Sequence, residues 1–190
     1  MDPAYYVAAG SLKARSTQLE VLANNLANVN TTGFKGERTF FSVFNKARQS
    51  SRNLPYTDVV NNGTALAGRG IDMRQGALQK TEAPLDLALE GKGFFTLQGP
   101  GGPVATRDGR FTLGPQGQLQ SQDGWAVLGK NGQAIRLNPG GEAIAIGRDG
   151  TLSQGGTLVG QLDLREFADP GALRHLGQGR YDLTGAQAVP

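Results

Sequence analysis

Within residues 5–34, YYVAAGSLKARSTQLEVLANNLANVNTTGF, an apolar side chain returns at every seventh position: Tyr5, Leu12, Leu19 and Leu26. Ala8, Leu22 and Val29 stand three residues further on, and Arg15 interrupts that second row. The spacing is that of an a/d seam along a helix, about three heptads long. The other face is polar, with Lys13, Ser16, Thr17, Gln18 and Glu20. A single helix of this length is marginal in water until its apolar stripe is covered. The remaining sequence shows no second long helix to cover it. Two outcomes are open: the helix lies on its own domain, or the seam is covered by another molecule and the chain is built for assembly.

The helix is expected from near Ala4 to about Asn28, with Gly10 as an internal weakness of about 1 kcal/mol relative to Ala. It should stop in Asn28-Val29-Asn30-Thr31-Thr32-Gly33, since Asn and Gly accept left-handed backbone and hydroxyls cap nearby orphan groups. Phe34 and Lys35 then leave the turn.

Composition excludes several function classes. Lys and Arg number 19 against 16 Asp and Glu, and the small excess forms no basic run, so nucleic acid is not an expected partner. There is no cysteine, which removes disulfides, thiolate nucleophiles and Cys-based zinc sites. The opening MDPAYYVAAGSL has Asp2 where a signal peptide carries positive charge, and it lacks an apolar core. No apolar run reaches about 18 residues, so no membrane-spanning helix is expected. Export, if it occurs, uses a route that leaves the N-terminus in place.

Glycine, at 29 residues, is about double its usual share and favours turns and short strands beyond the helix. Residues 36–70 read as a mixed, extended connector, in which Thr39-Phe40-Phe41-Ser42-Val43-Phe44 is apolar enough to dock somewhere or to act as a hydrophobic export signal. From about Ile71 short apolar runs alternate with turns. Asp108-Gly109, Asp123-Gly124, Asn131-Gly132 and Asp149-Gly150 are hairpin-type dipeptides. Strands are expected at residues 94–97, 111–113, 125–128, 135–137, 143–146, 157–164 and 181–183. A short helix is expected at residues 170–176, with Asp169 as N-cap and Pro170 at the first helical position. The fold class is therefore mainly β with a long N-terminal α-helix: an antiparallel sandwich- or barrel-like domain of short strands plus one short helix. The expected division is 1–35 for the helix and turn, 36–70 for the connector and 71–190 for the β domain.

No chemistry-bearing constellation emerges. Gly91-Lys92-Gly93 lacks the remaining positions of a phosphate loop and leads into a strand-like run rather than a helix. His175 is the single histidine and sits in the expected short helix, where it can offer neither a metal set nor a triad. Asp86, Glu90, Asp108, Asp123 and Asp149 could be imagined as a glycosidase pair, but three of them precede Gly, where a turn is sufficient reason. Trp125 is either a core anchor or a sugar-stacking ring. No catalytic residue, cofactor, metal or small-molecule substrate is expected.

The stretch ANNLANVNTTGFK, residues 23–35, resembles the N-terminal signature of the bacterial flagellar axial proteins, the rod and hook family. GALQKTEAPLDLALEGKGFFTL (76–97), TRDGRFTLGPQGQL (106–119), IGRDGTLS (146–153) and GQLDLREFADPGALRHLGQGRYDLTG (160–185) resemble later stretches of the same family, in order and at the expected spacing. The opening leans toward a proximal rod protein, and residues 94–153 suit a distal one equally.

The resemblance implies a structural subunit of the flagellar basal-body rod, in the periplasm, exported without a cleaved signal peptide. Subunits would stack helically, transmit torque and enclose the export channel. The implied partners are the chain itself, other rod and hook axial proteins, and the export apparatus. It also implies an interface at Leu12, Leu19, Leu22, Asn24, Asn25, Leu26, Asn28 and Val29, with Asn30, Thr32, Gly33 and Phe34 forming the helix-end turn. Asn24, Asn25 and Asn28 would hold hydrogen bonds between subunits or between helix and connector. The family's second, C-terminal amphipathic helix is not in this sequence, so the seam is expected to lack its intrachain mate. A second reading, from residues alone, is an extracellular glycan-binding β module tethered by the helix, with Trp125 and the acidic turns as its site.

Overall fold

A computed structural model describes residues 3–44, 63–170, 173–183 and 188–189. They fall into two compact units, Met1–Val29 with Gly36–Asp72, and Asn30–Lys35 with Met73–Pro190.

In the first unit, helix α1 (Pro3–Ala27) packs on an antiparallel pair, β1 (Glu37–Phe44) and β2 (Gly63–Ile71). The pair is in register from Glu37 opposite Ile71, with a bulge between Phe40 and Phe41. The described ends of the stretch expected as an extended connector are thus strands, and residues 45–62 lie outside the described residues. Glycine disguises β2 in the sequence, yet it is what the pairing needs. The Phe40 ring lies 2.9 Å from where a Cβ on Gly70 would stand.

The helix turns its small side chains to these strands. Ala14 and Val21, seven residues apart, are the buried pair among its described side chains. Each lies two residues, about 160° around the axis, from a leucine of the seam. The seam itself stays in the open, with Leu12 73%, Leu19 66% and Leu26 74% exposed. The chain therefore covers one face of its helix and leaves the greasier face bare.

The second unit carries the remaining strands: β3 (Phe94–Gly99), β4 (Gly102–Thr106), β5 (Phe111–Leu113), β6 (Leu119–Ser121), β7 (Ala126–Val127), β8 (Ile144–Ile146), β9 (Thr151–Gln154), β10 (Thr157–Gln161), β11 (Leu164–Phe167), β12 (Arg174–Gly177), β13 (Arg180–Asp182) and β14 (Ala188–Val189). A nine-stranded sheet runs β12-β13-β4-β3-β7-β6-β5, with β11 branching onto β3 and β14 onto β11. A three-stranded sheet runs β10-β9-β8. Every pairing is antiparallel. The sheet ends at β12 and β5 without closing, which corrects the barrel-like expectation.

Leu97, Leu119, Val127 and Leu152 are fully buried in one core, to which the smaller sheet contributes Leu152. Before the first strand, Leu85, Leu87 and Leu89 alternate inward to pack on that core. The Leu87 N–H donates to the Gly109 carbonyl at 2.9 Å. A Cβ on Gly109 would stand 1.8 Å from the Leu87 carbonyl oxygen, so Gly109 exists for close approach. Asp108-Gly109 is accordingly not a hairpin turn, whereas Gly124, Gly132 and Gly150 have the positive φ of tight turns.

The short helix expected at residues 170–176 is a correction as well. Residues 171–172 lie outside the described residues, Leu173 N–H reaches the Pro170 carbonyl at 3.2 Å, and Arg174–Gly177 pairs with β13 as a strand. Ladder bonds to β13 claim the second half of the expected helix as a strand.

Leu97→Ala should lower the stability of this unit by about 2–5 kcal/mol, because a fully buried leucine leaves a cavity that a two-sheet core fills poorly. The denaturation midpoint checks it.

Candidate assembly interface

On the first unit the candidate surface is the outer face of α1. Leu12, Leu19, Leu22, Leu26 and Val29 are all exposed, and Tyr5 continues the row at 70% exposure. Asn24 is exposed and Asn28 half-buried near the helix end. The Asn28 side-chain amide donates to the Asn24 carbonyl at 2.9 Å, as does the Asn28 backbone N–H at 3.1 Å, so Asn28 caps one of the orphan carbonyls. Asn25 faces the other way. Its Nδ2 donates to the Glu37 carbonyl at 2.9 Å and its Oδ1 accepts from the Glu37 N–H at 3.0 Å. The side chain thus imitates a strand partner for β1 and ties the helix end to the connector, one of the two roles open to these amides.

On the second unit the helix-end turn is seated on the β domain. Phe34 N–H donates to the Thr31 carbonyl at 3.2 Å and closes the turn, while Asn30 and Thr32 remain exposed. Gly33 has φ +69°, and a Cβ there would lie 2.3 Å from the Arg107 carbonyl oxygen. The Phe34 ring meets His175 edge-on at 6.2 Å, His175 meets Tyr181 at 5.1 Å, and Tyr181 meets Phe94 at 5.4 Å. Lys35, only 8% exposed, donates its ammonium to the Arg74 carbonyl at 2.7 Å.

Arg107 completes this seat. It is buried, its guanidinium lies 5.5 Å from the centroid of the Phe94 ring, and it donates to the carbonyls of Gly93 at 2.8 Å and of Gly91. Burial pushes the Arg107 pKa below its ordinary value, and nearby Tyr181 acts in the opposite sense. The Gly91-Lys92-Gly93 turn is thus an acceptor for an arginine, with its carbonyls facing inward.

Sequence reading placed Asn30, Thr32, Gly33 and Phe34 at the turn but missed Lys35, Arg107, His175 and Tyr181 as its seat. Arg107, His175 and Tyr181 lie 73, 141 and 147 positions beyond Phe34, and no spacing rule joins them to it.

Three of the acidic residues weighed for chemistry, Asp108, Asp123 and Asp149, have structural tasks. Asp108 accepts from the Arg110 guanidinium at 2.7 Å, a bond that raises the Arg110 pKa. Asp149 accepts from the Thr151 hydroxyl at 2.5 Å, which lowers the Asp149 pKa. Asp123 pairs with Arg180 at 3.2 Å, and the Arg180 guanidinium sits 4.2 Å from the centroid of the Trp125 ring. Trp125 also packs on the core, so this ring is an anchor under an arginine rather than an open platform for a sugar.

Two family descriptions match the chain: Flagella basal body rod protein over residues 6–35, and Flagellar hook protein FlgE/F/G D1 domain over residues 88–154. The chain is 35% identical over its whole length to the flagellar basal-body rod protein FlgG of Buchnera aphidicola subsp. Schizaphis graminum, covering 77% of that protein. It is 37% identical to the basal-body rod protein FlgF of Caulobacter vibrioides over 90% of this chain and 71% of the relative. To the FlgG of the same organism it is 34% identical over 96% of this chain and 74% of the relative. None of these descriptions is that of an enzyme.

Proposed function

The chain belongs to the family of bacterial flagellar basal-body rod proteins and is a structural subunit of that rod; from that premise we propose that the outer face of α1 is its assembly surface. The exposed row Leu12, Leu19, Leu22, Leu26 and Val29 is the observation that carries this reading. A bare apolar ridge of this length is not a stable surface for a lone molecule and fits one destined to be covered. Asn24 adds an exposed amide at the same end. Asn25 and Asn28 keep the helix end in shape, so that Leu26 and Val29 are presented in a fixed register.

Assembly with other axial proteins follows from the family. The further steps belong to the proposal: subunits stack helically in the periplasm, the helices line or pack the tube core, and the β unit with its seated turn forms an outer layer. Such a tube would transmit torque through many modest contacts in parallel and enclose the channel through which the export apparatus delivers later subunits. Delivery would leave the N-terminus uncleaved, because α1 is the working part.

The test is fractionation. A tagged copy expressed in the native cell should remain with detergent-extracted basal bodies, and deletion of its gene should leave cells without a complete rod. Recovery of the tagged chain only in the soluble fraction of flagellated cells would reject the assignment.

A further inference from the structure

Residues 75–82, QGALQKTE, run without helix or sheet, and every one is exposed. Among the described residues they make no hydrogen bond and no ion pair, and Leu78 stands 52% exposed. Holding each such residue in place costs about 1–2 kcal/mol of backbone entropy, and no hydrogen bond or ion pair among the described residues offsets it. Elsewhere in the same unit, β10 is the outer strand of the three-stranded sheet. Its partner β9 uses one side only, and Leu158 and Val159 are 67% and 37% exposed. At its far end, where the Lys130 N–H reaches the Gln161 carbonyl at 2.9 Å, a groove of about 440 Å³ opens between Val159-Gly160-Gln161 and the side chains of Lys130 and Arg136.

We propose that residues 75–82 of one copy lie along the outer edge of β10 in a second copy, with Leu78 beside Leu158 and 77–80 pairing as a parallel strand opposite 157–160, the part of the edge that precedes the bonds of Lys130 to Gln161 and of Gly129 to Leu162. This inference rests on the rod-subunit reading, which supplies neighbouring copies. Among the described residues, 75–82 and the outer edge of 157–160 carry backbone groups for which no bond is found, and strand addition satisfies them together. Charge decides the direction. In the parallel sense Glu82 falls four residues beyond Leu78 toward Lys130 and Arg136, and none of the three makes an ion pair among the described residues. In the antiparallel sense Glu82 would fall beside Gln154, whose side chain already donates to the Glu142 carbonyl and whose neighbour Gly155 has the Glu142 carboxylate 2.5 Å from a would-be Cβ, and like charges would meet. The bulge at Val159 keeps the edge from being a long flat template, which suits a short segment and discourages indiscriminate pairing. Because the two surfaces differ, the contact is head-to-tail and propagates along a stack.

The absence of cysteine makes the test clean. Leu78→Cys and Leu158→Cys are carried on two differently tagged full-length copies, co-expressed, and basal bodies are oxidised after purification. Paired strands bring the Cα atoms to about 5 Å, within disulfide reach. The expected product is a disulfide dimer containing both tags. It should be lost when Gln79→Pro and Lys80→Pro are added to the Leu78→Cys copy, while the melting temperature of the isolated protein is unchanged, since no bond in the chain is removed. A protein retained in basal bodies that gives no mixed dimer, or a mixed dimer indifferent to the two prolines, overturns the pairing alone. Single-cysteine copies that fold but never enter basal bodies overturn the rod-subunit reading beneath it.

Discussion

Leu19→Asp combined with Leu26→Asp is expected to abolish incorporation into basal bodies while leaving the chain folded. Both side chains are already mostly in water, at 66% and 74% exposure. Substitutions at such positions move folding stability by roughly 0.5 kcal/mol or less. Assembly sees a different change. Each leucine removed forfeits about 1.5–3 kcal/mol of burial against a neighbour. Each carboxylate set against an apolar partner adds several kcal/mol of desolvation unless a cation meets it. The penalty repeats at each contact the subunit makes, so an all-or-none loss of motility is expected beside an unchanged thermal melt. Normal swimming in the double variant would show that the seam is covered by nothing that matters.

The second large effect is a contrast between two glycines. Gly33→Ala should cost about 2–4 kcal/mol in the β unit, the sum of left-handed backbone strain and overpacking. A methyl group there would stand 2.3 Å from the Arg107 carbonyl oxygen and 2.7 Å from the Asp108 nitrogen. Those neighbours are backbone and cannot rotate away. Gly10→Ala, in the interior of α1 with nothing within 4 Å of the new methyl group, should instead stabilise the helix by up to about 1 kcal/mol. Urea unfolding of the two variants checks the signs. A neutral Gly33→Ala would mean that the turn is not seated as described.

The sequence disclosed the helix and its seam because periodicity is local information. Tyr5, Leu12, Leu19 and Leu26 announce a face without reference to anything distant. It did not disclose which face the chain itself would cover. Ala14 and Val21 are small and carry little pattern, but small side chains are what let β1 and β2 come close to a helix. The strands around Gly124 and Gly150 were readable from their turns, whereas the strand expected at 135–137 is reduced to isolated bridges at Ala134 and Arg136, β2 was hidden by its glycines and β12 by the Asp169-Pro170 helix signal.

The turn residues were legible and their seat was not. Gly33 and Phe34 mark the end of a helix by type and order. Arg107, His175 and Tyr181 gather around them only through the β4, β13 and β12 pairings, which no local pattern encodes. Asp108-Gly109 misled for a related reason: the glycine serves Leu87, a residue distant in sequence, and not its own turn.

Thiol accessibility tests the central claim most directly. Leu26→Cys would be the only thiol in the chain, with Gln116→Cys on an exposed turn of the β unit as the comparison. Labelling by a maleimide is measured on the isolated protein and again on purified basal bodies. The account requires the Leu26 thiol to react freely in isolation and to become protected on assembly, by a larger factor than the Gln116 thiol. A Leu26 thiol that reacts equally fast in both states would contradict it.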